Sequence, residues 1–115
     1  MPRVQIIEND TDIISLVQYV LQSEGFEVDV VSNPSQVVNR AGEFKPNLIL
    51  LDYSPIGFDG RPICKELKQS YSYPVVLFST SVNAAKECSS CGADGFISKP
   101  FDINAFVDTI KGYIN

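Results

Sequence analysis

Apolar residues along this chain follow two alternating rhythms: short continuous runs, and longer stretches in which they recur every three or four positions. Arg3–Ile7 is a short run and predicts a strand. Asp10 or Thr11 then offers an N-cap, and Ile13, Leu16 with Val17, and Val20 with Leu21 recur at helical spacing until Gly25. Phe26–Val31 predicts a second strand. Ser32 and Asn33 supply a cap ahead of Pro34 at the first helical position, and the helix they open is expected to run to about Gly42. Leu48-Ile49-Leu50-Leu51 is apolar throughout, as in a strand buried on both faces, and Asp52 ends it.

Residues 53–60, with Pro55, Gly57 and Gly60, predict a loop. A third helix is expected from Asp59 and Pro62 to about Ser70, and a fourth strand over Pro74–Phe78. Val82–Cys91, closed by Gly92, predicts the fourth helix, and Phe96–Ser98 lies in a fifth strand. Asp102 caps a last helix whose Ile103, Phe106 with Val107, Ile110 and Ile114 form one apolar stripe. Five strands alternating with five helices imply right-handed crossovers and a mostly parallel sheet covered on both faces, an α/β domain. At 115 residues, with a strand near one end and a helix at the other, residues 1–115 are expected to form a single domain.

Charge and composition narrow the chemistry. A formal charge of −5 disfavours attraction to nucleic-acid phosphates, so no direct nucleic-acid binding by this domain is expected. The chain holds no histidine, which removes Ser-His-Asp and Cys-His catalysis, histidine metal sites and a histidine phosphocarrier role. No apolar run is long enough to span a bilayer, and Met1-Pro2-Arg3-Val4 does not begin a signal peptide. Cytoplasmic placement with three reduced thiols is therefore expected. Cys88 and Cys91 form a C-x-x-C near the end of a helix, with neither a helix-start thiolate nor a second ligand pair, and read as inert. Tyr71 and Tyr73 read as amphipathic surface cover.

In open parallel sheets, ligands sit beyond the carboxyl ends of the strands. The polar residues there are Glu8, Asn9 and Asp10 after the first strand, Asp52 after the third, Ser79 and Thr80 after the fourth, and Lys99 with Pro100 after the fifth. An acidic cluster at one rim calls for a hard divalent cation with oxygen ligands, and Mg2+ is the natural choice. A carboxylate flanked by a metal ion, a lysine and a hydroxyl is equipped to accept a phosphoryl group, each of the three taking one non-bridging oxygen.

These residues converge on a known family. The chain resembles the receiver domain of two-component response regulators over its whole length. Four blocks carry the likeness: Val4 to Asp10; Leu50-Leu51-Asp52 with the following Pro55, Gly57, Asp59 and Gly60; Pro74 to Ser79; and Gly92 to Phe101. The resemblance implies a flavodoxin-like, doubly wound five-stranded sheet of order 2-1-3-4-5. It implies that Asp52 is the phosphoacceptor, fed from a phosphohistidine on a sensor histidine kinase or a histidine phosphotransfer protein. It also implies Mg2+ bound by Glu8, Asn9, Asp52 and the Ser54 carbonyl, and a Lys99–Pro100 cis peptide. Ser79 and Phe96 would form the switch, altering the surface of helix four, strand five and helix five for an output partner or a second copy of the chain. Beyond slow self-catalysed transfer and hydrolysis, no enzymatic activity is implied.

The chain departs from the family pattern at four places. Asn9 stands where a second acid is usual, which should lower Mg2+ affinity. Pro55 falls one position earlier after Asp52 than is common, Thr80 replaces a small residue, and Phe96 lacks the usual tyrosine hydroxyl. Asn9 favours a rival reading, a pseudo-receiver that docks partners without phosphorylation. A flavin-binding protein on the same topology is disfavoured because Glu8 and Asp10 repel phosphate, and a phosphatase because Ser54 replaces its second acid.

Overall fold

The computed structural model describes residues 2–52, 60–79, 84–98 and 102–114. Five parallel strands form one sheet in the order β2-β1-β3-β4-β5: β1 (Arg3–Ile7), β2 (Glu27–Val31), β3 (Leu48–Asp52), β4 (Val75–Ser79) and β5 (Gly95–Ser98). Helices α1 (Thr11–Ser23), α2 (Val37–Phe44), α3 (Gly60–Ser70), α4 (Ala84–Cys91) and α5 (Ile103–Ile114) connect or follow them. This is the α/β architecture and strand order expected. None of the helices among the described residues is long and apolar enough to cross a membrane.

Alternation along the strands builds two cores. Val4, Ile6, Leu48, Leu50, Val76, Phe78 and Ile97 face one side, where α1 and α5 cover them with Val17, Leu21, Phe106 and Ile110. Ile7, Ile49, Leu51, Val75 and Leu77 face the other, under α2 and α3, joined by Cys91 from the end of α4. Leu48, Ile49, Leu50 and Leu51 are all fully buried, as the unbroken apolar run of a central strand requires. The Cys64 thiol donates to the Cys91 carbonyl at 3.5 Å inside the second core. The side chain of Cys88 lies outside the described residues.

The helix ends carry the signals that the sequence supplies. Asp10 caps α1, its Oδ1 accepting from the Asp12 and Ile13 N–H groups at 2.9 and 3.2 Å. Asn33 accepts from the Ser35 N–H at 3.0 Å, but the turn it opens, Pro34–Gln36, is a 3-10 turn preceding α2. Asp102 accepts from the Asn104 N–H at 3.0 Å at the start of α5.

Several boundaries and exposures differ from expectation. The strands β2, β4 and β5 begin one residue away from the expected start, and β4 takes in Ser79, which pairs with Ser98. Gly42 does not stop α2, which runs on to Phe44 and is closed by Lys45 in the left-handed region at φ 54°. The glycine serves packing instead: a Cβ there would lie 2.6 Å from the Tyr71 hydroxyl, which donates to the Val38 carbonyl at 2.9 Å. Tyr71 and Tyr73 are thus partly buried over the α2 and α3 core, stacked at 5.0 Å, rather than simple surface cover. Leu16 and Ile103, placed by periodicity on the apolar stripes of α1 and α5, are half-exposed. Both stripes are narrower than their hydrophobic residues suggest, because each helix touches the sheet along one line.

Candidate functional site

The central strand β3 fixes the site. Its four apolar residues are sealed on both faces, so Asp52 is the first position at which a polar group can meet the rim. β1 runs parallel beside it, with Ile7 paired to Leu51. One residue further along each strand stand Glu8 and Asp52. By alternation both continue the face of Ile6 and Leu50, on the α1 and α5 side of the sheet. They are 2% and 6% exposed, two of the three buried polar or charged residues among those described.

Glu8 is held from two directions. Its N–H donates to the Val31 carbonyl at 3.2 Å, tying it to the end of β2. Its Oε2 accepts from the Asn9 N–H at 3.1 Å. Asn9 itself is exposed, and Asp10 is committed to capping α1. Neighbouring strands lie about 4.8 Å apart, so the two acids leave adjacent strand ends on the same face of the sheet. Among the described residues, no three cysteine or carboxylate side chains form a group that could hold a metal ion.

On the other flank, Asp52 pairs with Phe78, and Phe78 with Ile97. Ser79 closes β4 one residue later. Phe96, in the edge strand β5, is 41% exposed and borders a shallow groove of about 290 Å³ with Ser98, Asp102, Phe106 and Thr109. Ser54, Thr80, Lys99 and Pro100 lie outside the described residues, as does the expected cis peptide. The structure thus places Glu8 and Asp52 at adjacent strand ends, with Asn9 following Glu8 and the end of β4 alongside, while the Ser79 side chain lies outside the described residues.

One polar residue escaped the sequence reading. Gln5 is fully buried in β1; its Nε2 donates to Asp29 Oδ2 at 3.0 Å, and Asp29 also forms an ion pair with Arg40 of α2. Its Oε1 is buried without a hydrogen-bond partner. The available signal was a lone amide interrupting the apolar run of the first strand.

Comparison with known proteins gives one consistent answer. Residues 4–111 match the family model described as the response regulator receiver domain. DNA-binding response regulator MtrA of Mycolicibacterium smegmatis is 26% identical over 111 residues, covering 95% of this chain and 49% of that protein. The protein of the same name from Mycobacterium leprae gives the same identity and coverage. Among solved structures, the N-terminal domain of the nisin resistance regulator NsrR superposes with a TM-score of 0.90 at 29% identity, covering 100% of this chain and 99% of that one. The BeF3-activated N-terminal receiver domain of Klebsiella pneumoniae RstA shares the fold, with a TM-score of 0.91 at 22% identity and 98% coverage of both chains. The chain spans about half the length of the curated relatives it matches. With the family model covering nearly all of the chain and the sheet order matching, this chain belongs to the receiver domains of response regulators, the regulatory domains of two-component signalling.

Proposed function

We propose that this receiver domain is switched by phosphorylation of Asp52. A carboxylate oxygen of Asp52 attacks the phosphorus of a phosphohistidine on a sensor histidine kinase or histidine phosphotransfer protein. The P–O bond forms as the P–N bond breaks, the electron pair leaves with the imidazole, and the imidazole takes up a proton from solvent. The observation that carries this reading is the buried pair Glu8 and Asp52 at the ends of adjacent central strands. Carboxylate oxygens at the ends of adjacent strands are the hard donors that a divalent cation such as Mg2+ takes.

The donor chemistry fits Mg2+, because Glu8, Asn9 and Asp52 offer oxygen alone. The ion's ligands would be these three side chains and the Ser54 carbonyl. When bound it neutralises charge on the phosphoryl oxygens. Ser79 donates a hydrogen bond to a second oxygen and Lys99 pairs with a third, holding the group in line for attack. Phe96 stands half-exposed beside a groove and has room to turn inward once Ser79 moves. The surface of α4, β5 and α5 then changes for an output partner, or pairs with a second copy. With a charge of −5 on the chain, we assign any DNA contact to other segments of a longer regulator.

The test is intact-mass measurement after incubation with a small-molecule phosphodonor and Mg2+. The wild-type protein gains one phosphoryl group, Asp52→Asn gains none, and Asn9→Asp shows a stronger Mg2+ dependence at low ion concentration. Labelling that survives Asp52→Asn overturns the site. Asn9 is the observation on the side of a phosphorylation-independent docking domain, and a wild type unlabelled at saturating donor establishes that reading instead.

A further inference from the structure

Beside the acidic pair, the end of β4 is seated on an aromatic contact. Phe78 is in register with Asp52 on the neighbouring strand and faces the core beneath α1 and α5. Its ring packs against Phe106 of α5, with centroids 5.8 Å apart and planes inclined at 38°. Both rings are among the fully buried side chains. The Phe106 N–H donates to the Asp102 carbonyl at 2.8 Å, so the ring is anchored in the first turns of α5. Phe78 therefore joins the strand end next to Asp52 to the helix bordering the β5 groove.

Ser79 is the next residue after Phe78, and a trans peptide separates adjacent Cα atoms by about 3.8 Å, so the backbone of one cannot travel far without the other. Close-packed interiors do not yield continuously; a ring wedged against another either keeps its place or adopts a second packing. We infer that Phe78 is a positioning residue: its contact with Phe106 holds the end of β4 in the resting arrangement and sets how readily the phosphoryl-bound arrangement forms. This rests on the proposed phosphorylation of Asp52. A displacement of Ser79 toward a group on Asp52 must slide Phe78 over Phe106 or carry α5 with it. This tilted contact favours the resting state, and a ligand of the other state binds more weakly in proportion to that preference.

The consequence distinguishes a restraint from ordinary core packing. Loosening the ring contact lowers stability yet strengthens binding of a phosphoryl mimic, whereas damage to the core alone lowers stability without strengthening binding. The probe is beryllofluoride with Mg2+, titrated by calorimetry into the wild type, Phe78→Leu, Phe106→Leu and the double variant, with urea unfolding in parallel. Each single variant is expected to bind roughly two- to tenfold more tightly, the range that one aromatic contact spans, while its urea midpoint falls. The double variant should gain less than the product of the two, because both remove the same contact. Phe106→Leu lies on α5 and keeps the test open if Phe78→Leu fails to fold. A wild type that binds the probe, with folded single variants that bind it no more tightly, overturns the restraint and leaves the phosphorylation reading standing. Absence of binding in the wild type and every variant overturns both.

Discussion

The centre of the sheet and its β5 edge are held very differently. In the centre, formed by β1 and β3, every residue from Val4 to Glu8 and from Leu48 to Asp52 is buried. At the edge, β5 has four residues, Ile97 is its one buried side chain, and Phe96 stands half in solvent. The acids therefore sit on the most densely covered backbone, and the aromatic expected to move sits where little apolar surface restrains it. A phosphoacceptor must keep its geometry through each cycle, while a readout surface needs a low cost of rearrangement. Under the proposed phosphorylation of Asp52, these two tasks fall on different strands.

The largest test of this contrast is a pair of truncations. Leu50→Ala removes a fully buried side chain at the centre of the sheet and is expected to cost about 3–4 kcal/mol of unfolding free energy. Ile97→Ala on the edge strand should cost nearer 2 kcal/mol, since its surroundings can collapse more easily. Urea unfolding with linear extrapolation measures both. Equal costs would mean that the edge is packed as firmly as the centre.

That uneven packing also explains what could be read from the chain beforehand. β1, β3 and the caps of α1 and α5 were legible because short-range chemistry settles them: an unbroken apolar run, or an aspartate two residues before the N–H it accepts. The role of Gly42 was not, since the residue that needs the space, Tyr71, lies in the segment after α3. The half-exposure of Leu16 and Ile103 was hidden for a related reason: periodicity defines a face but not how wide the contact with the sheet will be. At the site, each strand-end residue could be picked out singly, yet the adjacency of Glu8 and Asp52 follows from β1 lying beside β3, which no local pattern dictates. Gln5 was passed over because its partner, Asp29, and the Arg40 paired with Asp29 lie on other elements.

A smaller effect sharpens the contrast from the other side. Phe96→Ala on the edge should cost about 1–2 kcal/mol of stability, less than a buried truncation, because part of the ring is already in water. Phosphoryl labelling of Asp52 should proceed as in the wild type, since the acids and the end of β4 keep their supports. Intact-mass time courses check this, and loss of labelling would show that Phe96 shapes the acceptor site itself.

The smallest expected effect lies in the buried centre. Gln5 donates one hydrogen bond to Asp29, but its Oε1 is buried without a partner, and rotating the amide would turn that acceptor toward a carboxylate. Gln5→Leu gives up the bond and removes the orphaned acceptor, while Asp29 keeps the Arg40 guanidinium. The two changes nearly cancel, and a net gain of about 0.5 kcal/mol is expected in urea unfolding. In an Arg40→Ala background the same substitution leaves Asp29, mostly covered in β2, with neither donor, so Gln5→Leu should there become destabilising by more than about 0.5 kcal/mol. If Gln5→Leu destabilises equally with and without Arg40, the amide is bonding to something other than Asp29, and the buried centre of the sheet tolerates its polar atom for another reason.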